Sequence, residues 1–148
     1  MRMGMIGGGQ GAFIGAVHRI GAAIDQQIDL VCGAFSTNPE TCKATGEELH
    51  LPADRSYTSF NEMMEKEAAL PLGERMDFVV IVTPNHVHFP AAKAALEAGF
   101  HVLSDKPATL NYDEAVELKK IVDETGLIYG LTYTYTGYPM VKLSLIHI

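Results

Sequence analysis

Two hydrophobic periods alternate along the chain. Short, nearly continuous apolar runs are separated by stretches in which apolar residues return every three or four positions. Arg2–Ile6 reads as a short strand that ends in glycines. Ala12–Ala23 reads as a helix, with Phe13, Ile14, Val17, Ile20 and Ile24 at helical spacing. Ile28–Phe35 is a second strand, largely apolar on both faces. Asn38 followed by Pro39 gives an N-cap with proline at the first helical position, predicting a short helix to Gly46. Residues 47–58 are polar and irregular. Ser59-Phe60-Asn61-Glu62 matches a capping box and predicts a helix to about Leu70. Phe78–Val82 lacks polar alternation, as expected of a parallel strand covered on both faces. Val87–Ala98 is an alanine-rich helix stopped by Gly99. His101–Ser104 is the next strand, and Asn111 caps a helix to Thr125 that Gly126 stops. Ile128–Thr134 is the last strand. Helices of this length between strands predict right-handed βαβ crossovers. The expected fold is therefore α/β, a Rossmann-type doubly wound parallel sheet.

Composition narrows the function classes. A chain of 148 residues with 47% hydrophobic and 20% charged residues can bury one core, so one domain is expected. The net charge of −7 and the lack of a basic tract argue against nucleic acid or an anionic membrane surface as partner. A phosphorylated cofactor stays compatible, because backbone N–H groups and a helix dipole hold it locally. Two cysteines, Cys32 and Cys42, are too few for a disulfide framework and are expected as free thiols in a reducing compartment. Met1–Ile6 is too short for a signal-peptide core, and no apolar stretch reaches membrane-spanning length. The cytoplasm is the expected location.

The first strand runs into Gly7-Gly8-Gly9-Gln10-Gly11-Ala12-Phe13-Ile14-Gly15. Gly7-x-Gly9-x-x-Ala12 fits the dinucleotide fingerprint. Gly7 would make the tight turn, Gly9 would let a pyrophosphate approach, and Ala12 or Gly15 would let the helix pack closely. Either could be the third position of the fingerprint. A merely flexible glycine loop is the competing reading. Its weakness is entropic, because glycines clustered at a strand end cost conformational freedom without an evident structural need.

At the end of the second strand an acidic residue would mark NAD. Asp29 starts that strand and lies at the wrong edge of the sheet. The strand ends at Phe35-Ser36-Thr37, with no carboxylate to repel a 2′-phosphate, two hydroxyls to meet one, and Lys43 one helical turn further on. The cofactor reading is NAD or NADP, leaning to NADP. A role for Ser36 and Thr37 as a mere lead into the Asn38 cap stands level with it.

Two further strand ends carry candidate chemistry. After Phe78–Val82 come Thr83-Pro84-Asn85-His86-Val87-His88, where proline fixes the turn and Asn85 can offer its amide. His86-x-His88 has no nearby third ligand, so no metal site is expected. After His101–Ser104 come Asp105-Lys106-Pro107. A lysine there could bind and polarise a substrate oxygen, but taken alone the favoured reading is a surface lysine in a proline turn.

Taken together, GMIGGGQGAFIGAVHR, VVIVTPNHVH, ALEAGFHVLSDKPATL and YTYTGYP resemble the N-terminal domain of the glucose–fructose oxidoreductase/inositol dehydrogenase/MocA family over roughly residues 1–142. The resemblance implies an NAD(P)-binding Rossmann domain followed by a second α/β domain, absent from this chain, that carries substrate residues and the oligomer interface. It implies hydride transfer between a nicotinamide cofactor and a sugar or inositol-like polyol by a homo-oligomeric whole. Carried over residue by residue, Gly7, Gly9, Gln10, Gly11, Ala12 and Phe13 belong to the pyrophosphate turn, and Ser36 and Thr37 to the ribose end. Thr83, Pro84, Asn85 and His88 would line the nicotinamide side. Lys106 would be the catalytic lysine, with Asp105 beside it where the family usually has Glu. Tyr133 to Tyr138 would approach the substrate side.

The family's Asp and His on a second-domain helix have no counterpart here. Leu143–Ile148 match the translation of CTG-TCT-CTT-ATA-CAC-ATC, which resembles transposase mosaic-end DNA, so residues 143–148 are expected to be a non-native tail. A genuine apolar strand start is the alternative. Two function classes compete for the domain: half of a dehydrogenase, inactive by itself, or a non-catalytic nucleotide-binding sensor. Lys106 at its strand end discriminates them, since a sensor has no need of it. A methyl-donor-binding Rossmann fold would share the glycine turn but leave TPNHVH and SDKP unexplained.

Overall fold

β1 (Arg2–Gly7) is the hub of a parallel sheet, pairing with β2 (Asp29–Ala34) on one side and β3 (Phe78–Val82) on the other. The computed structural model describes residues 1–146, and β4 (His101–Ser104) and β5 (Tyr129–Leu131) complete the sheet in the order β2-β1-β3-β4-β5. The sheet holds five strands. The polar segment before Ser59 adds only an isolated bridge, Gly33 to Ser56, because it has no apolar face to bury.

Alternate residues of each buried strand serve opposite faces. Val79 and Ile81 join Ile6 and Val102 beneath α3 (Phe60–Ala69), α4 (Asn85–Glu97) and α5 (Tyr112–Thr125). Val80 and Val82 join Met3, Met5 and Phe35 on the other face, where α1 (Phe13–Ala23) supplies Ile14 and Ala22 and α2 (Pro39–Glu48) supplies Cys42.

α1 forms where its period predicts, but of the stripe Ile14 packs on the sheet while most of the rest does not. Phe13, Ile20 and Ile24 are 81%, 67% and 79% exposed. Beside Ile14 the inward face is built from small residues, with Gly15 buried, because the helix lies against the backbone of the glycine turn.

Capping follows the sequence closely. Asn38 accepts from the Glu40 and Thr41 amides, Ser59 from Glu62, and Asn111 from Glu114. The return arms of the two Glu residues reach one residue further back than a standard box, to the Thr58 and Leu110 amides. Gly126 ends α5 in the left-handed conformation, φ 66°.

β5 stops three residues short of the expected Thr134, which begins a 3₁₀ turn (Thr134–Gly137). α6 (Pro139–Ser144) then runs across the expected boundary at residue 142. His147 and Ile148 of the expected tail lie outside the described residues.

Glu67 is fully buried on α3. It accepts from the Tyr57 hydroxyl (2.7 Å), Arg55 Nη2 (2.8 Å) and the Met76 amide (2.9 Å). This network pins the irregular segment to the core. Burial, then the nearby Glu67 charge, pushes the Cys32 thiol well above the usual range. Both cysteines are buried and free.

Candidate functional site

The strand order reverses between β1 and β3, and the crevice outside their carboxyl ends is where open α/β sheets bind ligands. A cavity of about 540 Å³ lies there. Gly7 to Gln10, Ala12, Ser36, Thr37, Thr83, Pro84 and His86 are among the residues that line it.

The glycine turn is built by close backbone approach. Gly7 (φ +82°) ends β1, and a Cβ there would lie 2.6 Å from the Val82 carbonyl oxygen. Gly8 (φ +71°) is packed from the other side by α1, since a Cβ on Gly15 would lie 2.5 Å from its Cα. Gly15, not the exposed Ala12, is therefore the close-packing residue of the fingerprint. Ala12 closes the turn instead, donating its amide to the Gly9 carbonyl at 3.0 Å. It caps α1 without a side-chain acceptor, which leaves that helix's first N–H groups to face an anion.

Gly9 has a second duty. A Cβ there would lie 2.9 Å from the Phe35 carbonyl oxygen, so the bare glycine also lets the turn seat on the end of β2. Gln10 is tied to α2, its amide donating to Thr45 Oγ1 and its side chain to Glu48. Phe13 and Gly11 face a separate depression on the outer side of the turn. Arg19 donates to the Gly8 carbonyl at 2.9 Å and braces the turn from α1. Sequence reasoning missed Arg19, which no fingerprint position marks.

At the β2 end, Ser36 Oγ accepts from the Asn38 amide, and Thr37 is exposed. Among the described residues, no Asp, Glu, Lys or Arg side chain lines the cavity. Thr41, Thr58, Ser59 and Phe60 also line it and were not foreseen. Three of them come from the irregular segment or its junction with α3, where periodicity carries no signal. The Tyr57 amide donates to the Gly33 carbonyl and brings that segment to β2.

At the β3 end, Thr83 lines the cavity with a buried Oγ1 that has no partner among the described residues. The orphaned hydroxyl and the uncapped glycine turn sit in one crevice and fit a dinucleotide, which would supply phosphate acceptors for the turn and polar groups for Thr83. Asn85 is exposed at the start of α4, outside the lining. His86, not His88, faces the cavity. His88 is 1% exposed, with both ring nitrogens engaged by backbone carbonyls. Among the described residues, no group of three metal-ligating side chains forms.

Register brings the third motif alongside. Gly7 pairs with Val82, Ile81 pairs with Ser104, and the Asp105 amide donates to the Ile81 carbonyl at 2.9 Å. Lys106 follows, exposed. His18 of α1 feels the Asp105 carboxylate, but burial lowers its pKa by more than that charge raises it. Tyr133 lines an apolar groove of about 780 Å³ on the α1 face of the sheet, away from the cofactor cavity. Tyr135 and Tyr138 are exposed and stack edge to face, 5.5 Å apart.

Residues 1–133 match the family described as "Oxidoreductase family, NAD-binding Rossmann fold". An uncharacterised oxidoreductase of Bacillus subtilis, YfiI, is 38% identical over 95% of this chain and 35% of its own length. An oxidoreductase structure from Sinorhizobium meliloti superposes with TM-score 0.89 at 50% identity, over 97% of this chain and 39% of that one. The structure of an inositol dehydrogenase homologue from Azotobacter vinelandii, complexed with NADH and myo-inositol, gives TM-score 0.92 at 35% identity, over 99% and 39%. The chain thus spans well under half the length of these relatives.

Proposed function

The chain belongs to the GFO_IDH_MocA oxidoreductase family, of NAD-binding Rossmann fold, and from that premise we propose that it is the cofactor-binding half of a sugar or polyol dehydrogenase. The observation that carries the proposal is the convergence of three motifs on one sheet edge: the glycine turn after β1, Thr83-Pro84 after β3 and Asp105-Lys106 after β4.

When bound, a nicotinamide supplies hydride transfer, chemistry that no side chain can provide. The protein's part is to hold and orient. The turn from Gly7 to Ala12 and the N-terminus of α1 would hold the pyrophosphate. Ser36 and Thr37 would meet the adenosine ribose, and Thr83 and Pro84 would flank the nicotinamide side. Lys106 would hold the substrate oxygen and a proton on it. The lean to NADP rests on the missing carboxylate at Ser36, and the absence of a cation from the same wall tempers it. The relative bound to myo-inositol supports the substrate class. Residues 1–142 form the domain in this reading, 143–148 are not native to it, and this chain alone has no turnover.

Titrating the chain with NADH and with NADPH, followed by reduced-nicotinamide fluorescence, tests the cofactor half. Saturable binding of either supports the reading, and binding of neither overturns it. Nicotinamide reduction by the intact protein with a polyol panel separates a dehydrogenase from a sensor, which would bind cofactor without turnover.

A further inference from the structure

His88 sits on α4, one turn past the β3 end, and its ring is enclosed between two backbone carbonyls from different motifs. Nδ1 lies 2.6 Å from the Pro107 carbonyl oxygen and Nε2 lies 2.9 Å from the Thr83 carbonyl oxygen. Carbonyl oxygens only accept, so a neutral ring, with one N–H, donates to one of them at a time, and both contacts are hydrogen bonds only in the doubly protonated ring. The imidazole sits between the TPN turn and the DKP turn, within hydrogen-bonding distance of both.

The DKP turn has little else to hold it. Lys106 is exposed, and among the described residues its ammonium pairs with no carboxylate. Upstream, the Asp105 amide is fixed to Ile81. Downstream, Pro107 has no N–H, and among the described residues the contact to His88 is the one polar tie of residues 106–108. The direction in which the Lys106 side chain leaves the backbone therefore depends on His88. The same ring lies 2.9 Å from the carbonyl oxygen of Thr83, a residue that lines the cavity.

We propose that His88 is a positioning residue that sets Lys106 against the Thr83 end of the cofactor cavity, acting through the Pro107 carbonyl and touching neither cofactor nor substrate. The proposal rests on the reading of Lys106 given above. It replaces the expectation that His88 lines the nicotinamide side, which an enclosed ring with both nitrogens engaged cannot do.

Two substitutions separate the two contacts. His88→Asn places a donor near the position of Nδ1 and keeps the tie to Pro107. His88→Gln places one near Nε2 and keeps only the tie to Thr83. In the intact enzyme, assayed with NAD+ or NADP+ and a polyol panel that includes myo-inositol, His88→Gln should lower kcat by at least about tenfold, part of the roughly 10²–10⁴-fold that a placed acid–base group supplies. His88→Asn should stay within about threefold of the unmodified protein. NADH affinity should hold within about threefold in both. In a Lys106→Met background, His88→Gln should cause no further loss. Independently of turnover, hydrogen–deuterium exchange across residues 105–110 of the present chain should rise in the Gln variant and not in the Asn variant. Equal kcat in the two variants, equal exchange in the two, or additive loss with Lys106→Met would overturn the proposal, as would unfolding of both, which would make His88 a packing residue. Full turnover of Lys106→Met alone would instead refute the role of Lys106.

Discussion

Gly15 of α1 and Gly8 of the turn meet backbone to backbone: a Cβ on Gly15 would lie 2.5 Å from Gly8 Cα and 2.9 Å from its carbonyl oxygen. Neither atom can swing away as a flexible side chain could. The contact fixes how close the N-terminus of the helix stands to the crevice.

Gly15→Ala should therefore destabilise the domain by about 1–3 kcal/mol, the usual cost of overpacking, and weaken NADH binding at least tenfold. Gly21 lies on the same helix with nothing within 4 Å of an added Cβ. Gly21→Ala should stabilise by about 0.5–1 kcal/mol through helix propensity. Urea denaturation of both variants checks the pair, and similar midpoints would refute the contact's role.

The cofactor's 2′-position can be tested at Ser36, which lines the cavity without a charged neighbour in its wall. Ser36→Asp should shift preference toward NAD by adding a ribose acceptor that repels a 2′-phosphate. Dissociation constants for NADH and NADPH before and after the change measure this. A parent chain that already prefers NADH would remove the lean to NADP.

Lys106→Ala in the intact protein should cut kcat by about 10²–10⁴-fold while cofactor affinity stays nearly constant. The side chain is exposed beside the cavity rather than part of its lining. A parallel loss of NADH binding would move Lys106 from the substrate to the cofactor.

Glu67 is buried and paired with Arg55, whose side chain is 17% exposed. Glu67→Gln should cost about 3–5 kcal/mol, because it strands a largely buried guanidinium. Thermal unfolding reads the loss. A change below 1 kcal/mol, as for an exposed pair, would show that water reaches the site.

Hydrogen bonds from Lys66, then Thr58, hold the Glu62 carboxyl at about 2, below its usual 4.5. A depressed folded-state value contributes stability that is full above pH 4.5 and fades as pH falls toward 2. The group lies at the surface, so solvent screening reduces this to about 0.5 kcal/mol. Glu62→Gln should lower the unfolding free energy at pH 6 and match the parent near pH 2. An equal deficit at both pH values would assign the effect to packing.

The sequence by itself determined the alternation of elements, the parallel sheet, the caps at Asn38, Ser59 and Asn111, and the three strand ends that carry chemistry. These are local properties. Apolar period, turn residues and caps are written within a few positions of where they act, and a buried parallel strand has no polar face to disguise it. Only the tertiary structure decided which glycine takes the helix contact, that Phe13, Ile20 and Ile24 point outward, and that Thr58 to Phe60 wall the cavity. It also decided that His88 spans two loops instead of lining the site. Each of these depends on which backbone lies opposite, at 19 residues' separation for His88 and Pro107. A pattern read along one strand or helix cannot report what a crossover brings to the neighbouring strand end.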